Sequence, residues 1–306
     1  MKKILVTGGS GLIGKTLINQ LLSNGYKVHS LDLKNPRLNV KNFNFFKGNI
    51  LHKDIISRAI KNCEIVVHLA ASLGVLNTER NNLQTLDLNI LGTKNILEIA
   101  SKNKIKKFIF ASSSEIYGEQ EIFPISELAQ PKFKSIYGLS KLAAENYVKA
   151  YYQKYKIEYN IIRYFNVYGE NQKEDFVISR FAKNIKQRKN LEVYGDGSQV
   201  RCFCHVKDAV AGTIEVIKKG RLNAIYNIGN NSEPITIMKL AKKMIKISNR
   251  KIKINKIKFI DSDREKKREI FKRIPDISKV STHTNYKPVN NLEAGINFFF
   301  KKYGIN

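Results

Sequence analysis

The stretch Gly8-Gly9-Ser10-Gly11-Leu12-Ile13-Gly14 constrains this chain more than any other. It follows directly on the apolar, β-rich Lys3-Ile4-Leu5-Val6-Thr7 and runs into a helical pattern. A strand that ends in a glycine turn and opens a helix is the phosphate-binding corner of a doubly wound α/β sheet. The three glycines at 8, 11 and 14 have separate tasks. One makes the tight turn, one lets backbone N–H groups approach a pyrophosphate, and one packs helix on strand. The new helix, opening at Leu12 and Ile13, offers unpaired N–H groups and a positive dipole end to the anion. An acid, Asp32, ends the second strand, where it can accept from an adenosine ribose and would repel a 2′-phosphate. NAD is therefore expected over NADP, with Lys34 and Arg37 just beyond softening the preference.

The rest of the first 165 residues keeps the same rhythm. Short apolar runs at 3–7, 26–31, 43–47, 65–69, 107–112 and 159–164 alternate with longer helical patterns, notably 81–102 and 137–154. This predicts βαβ units and a parallel sheet. Ile65-Val66-Val67-His68-Leu69 suits a strand buried on both faces. After residue 165 turn-rich stretches separate shorter elements, with helices expected at 176–188, 206–218 and 236–247. The division predicted is a Rossmann-like cofactor domain over 1–165 and a smaller mixed α/β substrate region over 166–306, part of which returns to extend the sheet. Phe298-Phe299-Phe300 is expected on the core face of a terminal helix.

Composition sets limits. With 306 residues the chain can bury a core without staples. No apolar run reaches the length of a membrane span, and the apolar start is too short for an export signal, so a cytoplasmic protein is expected. Three cysteines make no disulfide scaffold, and Cys202-x-Cys204 lacks a second pair for zinc, so reduced structural thiols and no metal are expected. The 54 Lys and Arg against 26 Asp and Glu leave a net charge of +28. These lysines are spread along the chain among Asn and Ile, all with A/T-rich codons, and no nucleic-acid-binding motif accompanies them. A specific nucleic-acid partner is not expected.

Tyr137-Gly138-Leu139-Ser140-Lys141 sets a phenol and an ammonium four residues apart on one helix face. A neighbouring cation favours a phenolate, so the pair can act as a base. Phe108-Ile109-Phe110-Ala111-Ser112-Ser113-Ser114-Glu115-Ile116-Tyr117-Gly118 is a buried strand ending in a polar cluster, where an α/β sheet places its chemistry. With these, His68-Leu69-Ala70-Ala71, Asn89-Ile90-Leu91-Gly92-Thr93, Arg163-Tyr164-Phe165-Asn166-Val167-Tyr168-Gly169 and Arg273-Ile274-Pro275-Asp276-Ile277-Ser278-Lys279 occur in order. Taken together, the chain resembles an extended short-chain dehydrogenase/reductase of the nucleotide-sugar epimerase/dehydratase group over essentially its whole length.

The resemblance implies roles. Tyr137 takes a proton from a sugar hydroxyl while hydride leaves the same carbon for NAD. Lys141 depresses the Tyr137 pKa and binds the nicotinamide ribose, and Ser113 bonds the reacting oxygen. The glycine turn, Asp32 and Leu69, Ala70 and Ala71 hold NAD, with Asn49 and Ile50 near the adenine. Relatives often have Asp where Asn49 stands, but the amide keeps an acceptor. Asn166 and Arg201 meet the diphosphate of the substrate, and of Arg264, Arg268 and Arg273 the last is expected to add a second contact. The resemblance also implies a homodimer through helices 81–102 and 137–154.

One fold hosts several outcomes after a shared oxidation at C4. Ser114 stands where 4,6-dehydratases carry an acidic proton donor, which disfavours dehydration. Simple UDP-hexose 4-epimerases generally lack an acid where Glu115 stands, and the Ser114-Glu115 pair resembles UDP-glucuronate decarboxylases and also GDP-mannose dehydratases. UDP-sugar 4-epimerisation is expected first, because it needs only Ser113, Tyr137, Lys141 and NAD. Decarboxylation or dehydration is the alternative, and a non-catalytic RNA-binding protein on the same fold is the reading from another class.

Overall fold

The computed structural model describes residues 2–170, 172–261 and 269–305. Seven parallel strands form the central sheet: β1 (Lys3–Thr7), β2 (Lys27–Asp32), β3 (Phe43–Lys47), β4 (Ile65–His68), β5 (Lys107–Ser113), β6 (Glu158–Tyr164) and, from beyond residue 165, the strand Ala224–Ile228. The order is β3-β2-β1-β4-β5-β6 with Ala224–Ile228 last, so the sheet reverses direction of growth between β1 and β4. That switch point opens a crevice at the carboxyl ends of the strands. The predicted strands are present with ends shifted by at most one residue.

Helices cover both faces. Helix α1 (Leu12–Ser23) leaves the glycine turn, and α2 (Lys53–Ile60) follows β3. The helix expected over 81–102 is divided. Short α3 (Val75–Arg80) and α4 (Asn82–Leu86) meet at Asn81, whose φ of −125° and ψ of 53° are not helical. A π-helical turn spans Asp87–Leu91 before α5 (Gly92–Lys102) resumes. Helix α6 (Ile136–Tyr155) begins where Ser135 accepts from the Gly138 N–H at 3.1 Å and ends at left-handed Lys156. Later come α7 (Val177–Lys186), α8 (Val206–Lys219), α9 (Ile237–Ser248), α10 (Ser278–Thr284) and α11 (Leu292–Tyr303).

Alternation along the strands divides the core. Ile4 and Val6 join Leu17, Ile18, Val210 and Ile214 on one face, while Leu5 joins Ile56, Ile96, Phe108, Phe110 and Val148 on the other. A separate cluster of Phe181, Leu191, Leu240, Met244, Ile296 and Phe299 closes the C-terminal part. Of the terminal aromatic run, Phe299 and Phe300 are buried as expected and Phe298 is 38% exposed, because three successive residues cannot share one helix face.

The C-terminal part also holds β-elements too short to carry a periodicity. After β6 the chain forms β7 (Val167–Tyr168), β8 (Leu191–Tyr194), β9 (Val200–Arg201) and β10 (Cys204–His205). The sheet strand Ala224–Ile228 is β11, followed by β12 (Ile235–Thr236), β13 (Ile254–Ile257) and β14 (Lys272–Arg273). Strands β12, β9 and β14 form one small sheet in which Arg273 lies directly opposite Arg201.

Candidate active site

The dinucleotide corner is assembled as the sequence predicts. Gly8 has φ +74°, and a Cβ there would lie 2.6 Å from the Ala70 nitrogen. At Gly14 a Cβ would lie 2.2 Å from the Gly8 carbonyl oxygen. The turn therefore closes only with hydrogen at both positions, and it rests against the Leu69-Ala70 backbone. Gly11 is the N-cap of α1, with its N–H bonded to the Gly8 carbonyl at 3.1 Å. Leu12 and Ile13 pack on the core below. Asp32, at the end of β2, accepts from the Ser10 N–H at 2.9 Å and the Lys34 N–H at 3.1 Å. These bonds fix its carboxylate beside the turn. Asn49 Oδ1 takes the Leu51 N–H at 3.0 Å, which leaves its second lone pair free to accept. Ile50 is buried, and a Cβ on Gly92 would lie 2.5 Å from its Cδ1.

One buried polar thread links this corner to the reacting end. Thr7 Oγ1 meets His68 Nδ1 at 2.6 Å, and His68 Nε2 meets Thr93 Oγ1 at 3.0 Å. Burial, with the Lys141 charge adding, pushes His68 down to about 3, so it is neutral. Asn89, in the π-helical turn, holds the Ser72 backbone on both sides and donates to Ser140 Oγ at 2.9 Å. The widened turn carries Asn89 between the loop after β4 and the helix of Tyr137, a common use of such turns.

Ser113, at the end of β5, accepts the Glu115 N–H at 3.2 Å and is close enough to Tyr137 to favour its phenolate. The Tyr137 phenol is pushed up, by burial first and the Glu115 charge second, against the pull of Ser113. Lys141 is buried, donates to the Ala111 carbonyl at 2.7 Å and lies 5.9 Å from the centre of the Tyr137 ring. Burial drives its pKa down to about 7. The ammonium points to a carbonyl and is itself only partly charged at neutrality.

Glu115 follows in a 3-10 turn over Ser114–Tyr117 and forms an ion pair with Arg273 at 2.8 Å. Arg273 Nη1 also lies 3.4 Å from Ser114 Oγ. Its guanidinium therefore faces the catalytic cluster, although the sequence reading placed it with the substrate phosphates. Arg264 and Arg268 lie outside the described residues. Arg201 forms an ion pair with Glu269 at 2.7 Å, and Asn166, at φ +39°, donates to the Cys202 carbonyl.

The segment carrying Glu269 and Arg273 is laid across the loop after β5. Glu119 accepts the N–H groups of Phe271 and Lys272, Lys134 donates to the Glu269 carbonyl, and Ile125 exchanges backbone bonds with Ile274 and Asp276. The partners are about 150 residues apart in sequence, and only Arg273 carried a signal, through its Arg-x-Pro-Asp context. Among the described residues no group of three His, Cys, Asp or Glu could hold a metal ion.

A glycine corner, an acid at the end of β2 and a Ser/Tyr/Lys cluster at the mouth of a parallel sheet define a dinucleotide-dependent enzyme of the Rossmann type. The model of the NAD dependent epimerase/dehydratase family matches residues 4–229, and the chain belongs to that family. It is 33% identical to a UDP-N-acetyl-alpha-D-glucosaminuronate decarboxylase of Bacillus cytotoxicus, covering 96% of this chain and 95% of the relative. The structure of UDP-glucuronic acid 4-epimerase from Bacillus cereus, with UDP-glucuronic acid and NAD, superposes with a TM-score of 0.91 at 32% identity, covering 99% of each chain. That of UDP-glucose 4-epimerase from Thermotoga maritima, with UDP-glucose, gives 0.90 at 30%, covering 99% and 98%.

Proposed function

We propose that this chain is a 4-epimerase of UDP-sugars that works through a transient 4-keto sugar. The observation that carries the reading is buried Lys141 set 5.9 Å from the Tyr137 ring on α6, with Ser113 at the carboxyl end of β5. Residues 1–165 hold the cofactor and 166–306 the nucleotide sugar. NAD, when bound, supplies the acceptor for the C4 hydride and gives it back. The site fits it: two glycines whose Cβ atoms would fill the turn, and a carboxylate fixed at the end of β2. In the forward step Ser113 Oγ bonds the C4 oxygen and Tyr137, in its phenolate form, takes the C4 hydroxyl proton and becomes the phenol. After the ketone turns over, Tyr137 returns that proton to the oxygen as C4 is reduced on its other face. The raised phenol suits the return step, and Arg273, by pairing with Glu115, limits carboxylate repulsion during the forward one. Asn166 and Arg201 remain the assigned diphosphate contacts.

The Glu115–Arg273 pair favours one second reading. An arginine beside the catalytic cluster can receive a C6 carboxylate, so a uronate is a candidate substrate, for epimerisation or for loss of carbon dioxide after oxidation. Dehydration is opposed by Ser114, which is buried against Arg273 and is a poor acid. The test is incubation with NAD and, separately, UDP-glucose, UDP-N-acetylglucosamine, UDP-glucuronate and GDP-mannose, followed by proton NMR with Tyr137→Phe as control. A 4-epimer without net NADH supports the first reading. A pentose from UDP-glucuronate establishes decarboxylation, and four inert substrates reject both.

The reading includes a homodimer formed through α4–α5 and α6, supported by Leu83 on α4 and Leu91 in the π-helical turn, exposed at 79% and 46%. Sedimentation velocity tests it. A cytoplasmic location belongs to the same proposal, supported by three unpaired buried thiols.

A further inference from the structure

Helix α6 carries a third polar residue in step with Tyr137 and Lys141. Glu145 is one further turn along and completely buried. Both of its oxygens are used. Oε1 accepts from Ser112 Oγ at 2.5 Å and from Arg163 Nε at 3.0 Å, and Oε2 accepts from Arg163 Nη2 at 2.8 Å. Arg163 stands opposite Ser112 in the β5–β6 register. Its other arm donates to Tyr117 Oη at 2.9 Å and to the Glu127 carbonyl at 3.1 Å, with the guanidinium 4.9 Å from the Tyr117 ring centre. Tyr117 in turn donates to Asn227 on β11 at 2.7 Å.

A buried ion pair is seldom more stabilising than apolar side chains of the same volume, so stability alone does not account for this one. What it joins is informative. Ser112 immediately precedes Ser113, Tyr117 ends the turn that carries Glu115, and Glu145 shares a helix with Tyr137 and Lys141. Every member of the catalytic cluster hangs from an element that this network cross-links.

We propose that Glu145, clamped by Arg163, is a positioning residue: it sets the height and rotation of α6 against β5, and with them the approach of Tyr137 to Ser113. It also places a negative charge one turn from Lys141. The titratable groups facing Lys141 are Tyr137 and Glu145 on its own helix and His68 on β4, with the Ala111 carbonyl and the Phe110 ring on β5. His68 is neutral, so Glu145 is the charge that supports the ammonium.

The turnover part of the test rests on the function proposed above; the titration part does not. Glu145→Gln is compared with Glu145→Gln/Arg163→Met, which leaves no unpaired buried cation, and with wild type, each as full chain saturated with NAD. The expected result is a kcat at least tenfold lower in both variants, with the sugar KM within about twofold, because small misplacements of reacting groups cost up to about a hundredfold. The melting temperature recovers in the double variant while kcat does not. Nitrogen NMR of Lys141 Nζ shows it titrating at lower pH in Glu145→Gln. If kcat returns together with stability, the pair is merely structural and the proposal falls. It falls equally if Glu145→Gln leaves the Lys141 titration unmoved. Should wild type process no nucleotide sugar, the functional reading fails on its own and the titration alone decides here.

Discussion

Lys141 lies in a site that is hostile to its charge, and the consequence can be measured. Its pKa of about 7, against 10.5 for a free lysine, arises from burial. The folded protein releases this proton near pH 7, whereas the unfolded chain keeps it until about 10.5. Below pH 7 both states bind it and the folded state bears the full desolvation cost. Between 7 and 10.5 the unfolded state binds more protons, so stability rises with pH. The gap corresponds to roughly 4–5 kcal/mol of destabilisation at pH 6. Lys141→Met removes that cost and keeps the side-chain length against the Phe110 and Tyr137 rings, but forfeits the bond to the Ala111 carbonyl, worth about 1–3 kcal/mol. The nucleotide-free variant should therefore be about 1–4 kcal/mol more stable than wild type at pH 6, and the advantage should vanish by about pH 10.5. Urea midpoints at pH 6, 8.5 and 10.5 measure the difference. A variant no more stable than wild type at pH 6, or an advantage that persists unchanged to pH 10.5, would refute the reasoning.

Three further outcomes are expected. Gly14→Ala, whose Cβ would lie 2.2 Å from the Gly8 oxygen, should lose about 1–3 kcal/mol and bind NAD more weakly, while Gly11→Ala, with 3.3 Å, should melt near wild type; thermal melts and NAD titration distinguish them. Arg273→Met leaves Glu115 uncompensated beside Tyr137, so the phenol rises further and the acidic limb of the kcat profile moves to higher pH, by about one unit. His68, pushed down to about 3 from 6.5, contributes stability that is present above pH 6.5 and lost as pH falls toward 3, so His68→Gln should flatten the acid side of the stability profile measured by urea midpoints.

Much of this was legible because the sheet strands are buried on both faces and read as continuous apolar runs between turn signals. Ile65–His68 and Lys107–Ser113 are of this kind. The glycine corner was legible for another reason: its local backbone demands exclude other residues at Gly8 and Gly14. The broken helix over 75–102 was not legible. A π-helical turn inserts one residue per turn without a composition signal, and its purpose, the reach of Asn89 to Ser72 and Ser140, exists only in three dimensions. Two-residue strands such as β9 and β14 are too short for any period. So Arg273 could be singled out by its context but not assigned its partner Glu115, which lies on another part of the chain. The electrostatics were harder still. Tyr137 and Lys141 at four-residue spacing suggested a cation lowering a phenol, and only the buried geometry shows the ammonium turned to the Ala111 carbonyl.

The same burial explains why chemistry and core cannot be separated here. Along α6, Tyr137, Lys141 and Glu145 form one polar stripe where a helix of this kind would ordinarily bury leucine. The small residues beside the stripe make it possible. A Cβ on Gly138 would lie 2.9 Å from Phe133 Cβ and 3.0 Å from the Glu115 carbonyl oxygen, so only glycine lets the helix start approach the turn that carries Glu115. Close approach brings the phenol to Ser113, and also excludes the water that would otherwise solvate the ammonium. An unpaired charge in such a place would neutralise or unfold the site. Lys141 moves partway toward neutrality, and behind it both Glu145 oxygens are engaged by Ser112 and Arg163. Substitutions at Lys141 and at Glu145 should therefore both lower reactivity while stability moves in opposite directions, rising at Lys141 and falling at Glu145, since one residue bears the desolvation cost that the other offsets.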